Sequence, residues 1–238
     1  MSIVFQNVTK KVRLGAVKLT YEGLNLNIPA DSRMALLGRN EAGLEVIANL
    51  ICAADAPDFG RVTRDHSVSW PIPSSQFIAR HLPLVANARF VARLYEADEE
   101  TYLAQLDEVG KLSEWFDVKV DECPRDIRSA FCVLAGICLP FDQYLLTGLG
   151  PKGSRDRVIE QLEDRAGGSG LLLIGSDVKS AQVLCTEAYV FDKGRATFFN
   201  DMEAAAEAFS EVEAVEAGDE DFMGGDPELE NLVNVDFF

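Results

Sequence analysis

Long hydrophobic runs, paired cysteines and histidines are all scarce in this sequence of 238 residues. No stretch of about 18 uninterrupted apolar residues occurs, so we expect no membrane-spanning helix. The first residues lack a basic segment followed by an apolar one, and we expect no secretory signal. Five cysteines without a C-x-x-C pair, together with only two histidines, argue against a zinc site or a disulfide framework. Reduced thiols in a cytoplasmic protein are the expectation.

Positive charge is absent from the last part of the chain. No lysine or arginine follows Arg195, whereas thirteen aspartates and glutamates lie between Asp201 and Asp236. The formal net charge is −17, and only −4 remains for the rest of the chain once these thirteen charges are set aside. We therefore predict a domain of residues 1–210 followed by an acidic, disordered tail of residues 211–238. Because no basic patch is present, nucleic acid is not expected as a partner.

The end of this tail is apolar again. Residues 231–238 read Asn-Leu-Val-Asn-Val-Asp-Phe-Phe. A short docking peptide and a frayed terminus are both compatible with that composition, and the sequence leaves the choice open.

The spacing of apolar residues predicts an α/β domain. Alternating runs near the N-terminus are typical of antiparallel strands with one wet face, and nearly all-apolar runs later on are typical of a parallel sheet covered on both faces. A change to helical spacing over about residues 84–140 predicts a helical insertion between the strands. The predicted strands are residues 3–8, 24–28, 34–37, 61–63, 68–70, 143–147, 171–174, 188–191 and 196–199, and the other predicted helices are residues 41–52, 155–166 and 201–209.

One stretch combines a buried strand, a glycine-bearing turn and the start of an apolar helix. Gly38 and Gly43 have the spacing of the P-loop pattern G-x-x-x-x-G-K-[ST], whose backbone amides bind phosphate at a helix N-terminus. The lysine and hydroxyl positions of that pattern hold Leu44 and Glu45. We predict a degenerate phosphate loop, at which ATP and Mg²⁺ are weak ligands at most, and no other metal site. Its residues are Gly38, Arg39, Asn40, Glu41, Ala42, Gly43, Leu44 and Glu45.

The order of the predicted elements resembles the nucleotide-binding subunit of ABC transporters. Residues 38–43, Gly-Arg-Asn-Glu-Ala-Gly, are similar to the family's G-R-N-G-A-G. Ser69-Trp70-Pro71, followed by Asn-Ala-Arg-Phe-Val-Ala-Arg-Leu-Tyr at residues 87–95, resembles the ATPase subunits of bacterial capsular polysaccharide exporters. The resemblance covers about residues 3–200. It implies a P-loop NTPase-like (ABC ATPase) α/β fold with a mixed sheet, an antiparallel β subdomain and a helical insertion.

The positions that the resemblance assigns to nucleotide and Mg²⁺ binding have changed. The aromatic residue that stacks on adenine in the family falls near Val12. The Q-loop glutamine falls near Ala79, with Gln76 as a displaced candidate. Residues 124–129 stand at the signature sequence, and Asp126 replaces one of its glycines.

The positions that the resemblance assigns to hydrolysis have changed as well. The Walker B aspartate and the catalytic glutamate fall at Thr147 and Gly148, and the switch histidine falls at Ser176. Because no carboxylate remains there to orient the attacking water, we expect a pseudo-ATPase without catalytic residues.

Three functions stay open at this point. The first is a degenerate ABC subunit of capsule export, a non-catalytic structural or regulatory partner of the membrane permease at the cytoplasmic face of the inner membrane, dimeric with itself or with a related ABC subunit. Residues 84–95 are then the candidate partner surface, and an ordinary core helix is the alternative interpretation. The second is a nucleotide-binding sensor or weak ATPase of an exporter. The third is a P-loop scaffold repurposed for protein–protein interaction through its acidic tail.

Overall fold

The computed structural model describes residues 1–14, 17–149, 158–160, 162–163 and 168–220. Within them, eight strands and six helices are named here in chain order. The elements are β1 (Ser2–Leu14), β2 (Val17–Pro29), β3 (Arg33–Leu37), α1 (Glu41–Ile51), β4 (Phe59–Arg64), α2 (Leu84–Leu94), α3 (Glu99–Gly110), α4 (Arg125–Ile137), β5 (Gln143–Leu146), β6 (Gly170–Gly175), α5 (Val178–Leu184), β7 (Glu187–Asp192), β8 (Arg195–Phe199) and α6 (Met202–Glu220).

A five-stranded mixed sheet forms the centre of the fold, in the order β5-β6-β3-β7-β8. Strand β3 is parallel to both β6 and β7, β5 is parallel to β6, and β8 returns antiparallel to β7. The four parallel strands are almost wholly buried, which explains why their sequences are continuous apolar runs. The predicted parallel strands and the terminal hairpin are confirmed.

The two faces of this sheet belong to two different cores. Because side chains alternate along a strand, Ala35 and Leu37 point into one core, whereas Met34 and Leu36 point into the other. The first core, called the helical core here, packs α2, α3, α4, α5 and α6 against the sheet. The second, called the α1 core here, packs α1 and the antiparallel strands against the opposite face.

A smaller antiparallel sheet, in the order β2-β1-β4, covers the α1 core. Its strands β1 and β2 are 13 residues each, longer than the predicted residues 3–8 and 24–28. The prediction stopped where the alternation of apolar and polar residues fades, but the strands continue because their backbone groups pair with each other irrespective of side chain. The ladder is irregular near Val8, where the register shifts.

The helical insertion predicted for residues 84–140 consists of α2, α3 and α4, joined by two short 3-10 helices. Helix α3 begins at an N-cap, where the Asp98 side chain accepts from the Thr101 amide at 2.9 Å. The buried Tyr102 hydroxyl of α3 donates to the Ala135 carbonyl of α4 at 2.8 Å, which ties the two helices together.

Two sequence predictions differ from the structure. Residues 68–70 do not form a strand. They lie along β5 with one isolated parallel bridge, between Val68 and Gln143, because the neighbouring prolines cannot donate to a regular ladder. Helix α6 continues beyond Phe209, where the prediction ended it, to Glu220. Residues 221–238 of the predicted tail lie outside the described residues, so its disorder and the domain boundary stay predictions.

The predicted helix at residues 155–166 is only partly described. Residues 158–160 and 162–163 are helical, and the remaining residues of that range lie outside the described part of the chain. Over the part that the structure describes, no helix has both the length and the apolar character needed to cross a membrane.

Candidate functional site

The predicted phosphate loop joins the buried end of β3 to the start of α1, so all eight predicted residues lie in one turn and the helix it opens. The Gly38 amide donates to the Gly175 carbonyl of β6 at 3.2 Å. Asn40 is the N-cap of α1, and its side-chain oxygen accepts from the Gly43 amide at 2.9 Å. The loop therefore caps its own helix with a side chain, and this uses one of the amides that a bound phosphate would need.

Leu44, at the position of the phosphate-binding lysine, is a core residue. Its side chain is 3% exposed and belongs to the α1 core. It lies close to the loop backbone at Gly38. A Cβ atom added to Gly38 would be 3.3 Å from Leu44 Cδ2 and 3.3 Å from Phe191 Cβ. The side chain of Leu44 therefore packs between the loop and the α1 core, and it offers no hydrogen-bond donor to an anion.

The charged residues around the loop are predominantly acidic. Glu41 and Glu45 lie exposed in the first turns of α1, where carboxylates are favoured by the helix dipole. A bound phosphate would compete for that same favourable position and would meet like charges. Arg39 is exposed on the loop and makes a contact of its own.

The adenine end of the expected site is also apolar. Val12 is half-buried and packs against the α1 core, which also contains Leu44. Tyr21 of β2, which the sequence analysis did not single out, lies in this core with its ring centroid 6.1 Å from that of Phe191, in edge-to-face geometry. Burial raises the pKa of the Tyr21 hydroxyl to about 12. Because its ring is enclosed by protein, it presents no face on which a base would stack.

The two positions at the end of β5 hold Thr147 and Gly148, neither of which is an acid. The Thr147 amide donates to the Ile72 carbonyl at 2.7 Å, and its hydroxyl donates to the same oxygen at 3.2 Å. A Cβ added to Gly148 would lie 3.6 Å from Pro73 Cδ. Thr147 therefore holds Ile72 against β5, which is a structural role.

Beyond β6, Ser176 is exposed, and the next residue is the N-cap of α5. The Asp177 carboxylate accepts from the Ser180 amide at 3.1 Å and from its hydroxyl at 2.6 Å. The carboxylate is therefore engaged by its own helix.

The loop at the Q-loop position is held by a buried asparagine that the sequence analysis missed. Asn87 of α2 accepts from the Ala79 amide at 2.7 Å and donates to the Ala79 carbonyl at 3.2 Å and the Pro83 carbonyl at 3.1 Å. Its place on the apolar face of α2, between Leu84 and Ala88, is the signal that could have identified it, because a buried amide requires hydrogen-bond partners. Gln76, the displaced candidate, is exposed.

At the signature position, Pro124 is the N-cap residue of α4, and Asp126 lies exposed in the first turn of this helix. The Arg128 guanidinium donates to the Cys123 carbonyl at 3.0 Å, back towards the preceding segment. Among the described residues, no group of three or more histidine, cysteine, aspartate or glutamate side chains is arranged to hold a metal ion.

The two motifs that carry the resemblance to polysaccharide exporters meet in the structure. Trp70, of the Ser-Trp-Pro segment, packs its ring 5.2 Å from that of Tyr95, at the end of the second motif. Phe77 and Phe141 complete the cluster at 5.5 and 5.8 Å from Trp70. The motifs therefore encode one aromatic contact between the edge of the main sheet and α2.

Comparison with known proteins gives sequence relatives that are ATP-binding proteins. No family model matches the chain. The polysialic acid transport ATP-binding protein KpsT of Escherichia coli is 27% identical over 195 residues, which are 79% of this chain and 87% of that protein. The ATP-binding protein BexA of Haemophilus influenzae is 23% identical over 87% of this chain and 97% of its own length. The capsule polysaccharide export ATP-binding protein CtrD of Neisseria meningitidis serogroup B is 23% identical over 79% of this chain and 89% of its own length.

Solved structures support the fold. The ATP-binding cassette MJ0796, as a post-hydrolysis dimer bound to ADP and Pi, matches with a TM-score of 0.71 at 14% identity, over 83% of this chain and 98% of that one. An ATP-binding subunit of an ABC transporter matches with a TM-score of 0.74 at 16% identity, over 88% of this chain and 94% of that one. The chain therefore has the fold of an ABC ATPase cassette and resembles the ATP-binding proteins of capsule polysaccharide export.

Proposed function

We propose that this chain is a non-catalytic subunit of a capsule polysaccharide export system. In this proposal it acts at the cytoplasmic face of the inner membrane as a structural or regulatory partner of the permease, and it is dimeric with itself or with a related ABC subunit. The observation that carries the proposal is the burial of Leu44 in the α1 core at the position of the phosphate-binding lysine.

The energetics of the loop support weak nucleotide binding. A charge-assisted hydrogen bond to phosphate contributes about 1.5–3 kcal/mol, and Leu44 makes none. A carboxylate such as Glu45 about 4 Å from a phosphate charge would repel it by roughly 4 kcal/mol at an effective dielectric constant of 20. Since 1.4 kcal/mol corresponds to a tenfold change, these effects together weaken ATP binding by roughly three to five orders of magnitude. Direct ligation of Mg²⁺ by Glu45 would reduce this loss without restoring the lysine.

The end of β5 supports the absence of hydrolysis. Phosphoryl transfer to water requires a group that orients the attacking water and cations that neutralise the developing charge. Thr147 is hydrogen-bonded to Ile72, and neither Thr147 nor Gly148 supplies an acid or a base. In a dimer, Asp126 of the partner's α4 would add a further negative charge where the family has a glycine.

The exposed side of α2 is the surface that we assign to the permease. We call it the α2 face. It combines apolar side chains that are exposed to solvent with two basic ones. Its residues are Leu82, Phe90, Leu94 and Tyr95, with Arg89 and Arg93.

Calorimetric titration with Mg·ATP tests the proposed loss of nucleotide binding. The wild-type chain is compared with a Leu44→Lys, Glu45→Ser double variant, and Glu45→Ser alone serves as the control that removes the repulsion without restoring the lysine. We expect no binding to the wild type up to millimolar ATP, and binding only to the double variant, after its native fold has been verified by thermal unfolding. Micromolar binding to the wild type would contradict the proposal and favour a nucleotide sensor.

Co-purification tests the assignment to export. The tagged chain is expressed with the polysaccharide permease of its own genome, and retention on the membrane fraction is measured. The substitutions Phe90→Ser and Leu94→Ser are expected to release the chain from the permease. Retention that is independent of the permease would instead favour a repurposed scaffold.

A further inference from the structure

The α2 face is an exposed apolar patch on a folded helix. Phe90 is 53% exposed and Leu94 is 60% exposed, and the two residues are one helical turn apart, so their side chains adjoin. Leu82 and Tyr95, at the two ends of the helix, are 41% and 40% exposed. Such a patch on a well-packed helix indicates a binding surface.

Two arginines and one partly exposed carboxylate lie beside the apolar residues of this face, and the exposed Glu96 follows Tyr95. The guanidinium groups of Arg89 and Arg93 lie beside the apolar residues and both reach Glu99, at 3.5 and 2.6 Å. Two cations share one carboxylate, and both arginine side chains are more than half exposed. A ligand that carries apolar side chains together with carboxylates is therefore complementary to the face.

Residues 231–238 of this chain have that composition. Leu232, Val233, Val235, Phe237 and Phe238 supply apolar groups within eight residues, Asp236 supplies a carboxylate, and Asp226, Glu228 and Glu230 precede them. We propose that residues 231–238 bind the α2 face of their own chain.

The geometry of the fold allows this contact. The segment follows helix α6, which packs Ala205 and Phe209 into the helical core. Helix α2 packs Val91 and Ala92 into the same core, so both helices lie on one side of the main sheet. The intervening residues 221–230 span up to about 33 Å when extended. This reach is about twice the radius of gyration of a domain of this size, which is about 17 Å.

The surface nearest to the start of the tail is a poor alternative. A groove of about 560 Å³ between α5 and α6 is lined by Glu203, Glu207 and Glu211. Val183, 65% exposed beside this groove, is apolar, but the surrounding carboxylates repel an acidic segment. Charge therefore favours the α2 face over the nearer groove.

Binding of the tail in this way has a regulatory consequence, which rests on the proposed function. If the permease contacts the α2 face, the tail and the permease compete for one surface. The tail would then keep the apolar patch covered until the chain meets the membrane complex.

Photo-crosslinking in the purified full-length chain tests the contact without any permease. The photoreactive residue p-benzoylphenylalanine replaces Phe90, which preserves an aromatic side chain at an exposed position. After irradiation, mass spectrometry is expected to identify crosslinks to residues 231–238, with a yield independent of protein concentration. A Phe237→Ser, Phe238→Ser variant is expected to lose at least four-fifths of this yield. The same residue placed at Val183 is the matched control and is expected to give no tail crosslink.

Three results would overturn the inference. These are no crosslink to the tail, a crosslink unaffected by the phenylalanine substitutions, and a yield that rises with protein concentration, which would identify a second copy as the occupant. The export assignment is tested separately by co-purification with the permease, so each idea can fail without the other.

Discussion

Truncation of Leu44 distinguishes a core residue from a ligand-facing one. In a working phosphate loop, the side chain at this position extends towards the ligand, and its truncation has little effect on the stability of the empty protein. Here the side chain is 3% exposed and lies in the α1 core, which also contains Phe191. Leu44→Ala removes its packing and leaves a cavity, which costs about 3 kcal/mol of unfolding free energy. With a urea slope of about 2–3 kcal/mol/M, the unfolding midpoint falls by about 1–1.5 M.

Urea unfolding, followed by circular dichroism, measures this effect. The matched control is Leu94→Ala, the same chemical change on an exposed helical leucine, which is expected to shift the free energy by less than about 0.5 kcal/mol. If the two variants unfold at the same urea concentration, Leu44 does not contribute to the core, and the main argument against nucleotide binding is lost.

Three further predictions concern other parts of the fold. Asn87→Ala leaves the half-buried amide of Ala79 without its partner, whereas the Ala79 carbonyl still accepts from the Leu82 amide, so thermal unfolding and hydrogen exchange are expected to show a loss of about 1–3 kcal/mol, with the largest loss of protection at Ala79. The hydrogen bonds donated by the Ser67 hydroxyl and amide hold the pKa of Asp142 below its usual 3.8. These bonds therefore stabilise the folded protein above that pH, and the stabilisation is lost as the pH falls below it. The variant Ser67→Ala is expected to flatten this acid dependence of the unfolding free energy, measured in unfolding titrations. Burial raises the pKa of the Cys185 thiol to about 12, so a thiol reagent is expected to label it only after denaturation, and rapid labelling of the native chain would contradict its burial.

Much of the fold could be predicted because burial leaves a direct signal in composition. Strands β5 and β6 are covered on both faces, and their sequences are therefore runs of apolar residues that are hard to mistake. The turn between β3 and α1 followed from the spacing of Gly38 and Gly43. Helical spacing identified the insertion that contains α2, α3 and α4.

The details that escaped prediction depend on contacts between distant residues. The sequence showed that Leu44 is not a lysine, but only the structure shows its side chain buried in the α1 core. Likewise, the role of Asn87 depends on a loop that folds back onto α2. The lengths of β1 and β2 depend on the pairing of their backbones, which is independent of the apolar pattern.

The segment that lies along β5 has a consequence for aggregation. The Ser69 amide donates to the Gln143 carbonyl at 3.0 Å, and the Ile72 amide donates to the Leu145 carbonyl at 2.8 Å, so residues 69–72 occupy the hydrogen-bonding edge of this strand. At the opposite side of the sheet, the β7–β8 turn lies close to the backbone of β2, since a Cβ added to Gly194 would lie 2.8 Å from the Thr20 carbonyl oxygen. An open strand edge is a template for intermolecular pairing. With its β5 edge occupied, the central sheet offers that edge neither to amyloid-like stacking nor to a partner that adds a strand, and recognition on this side of the molecule depends on side chains.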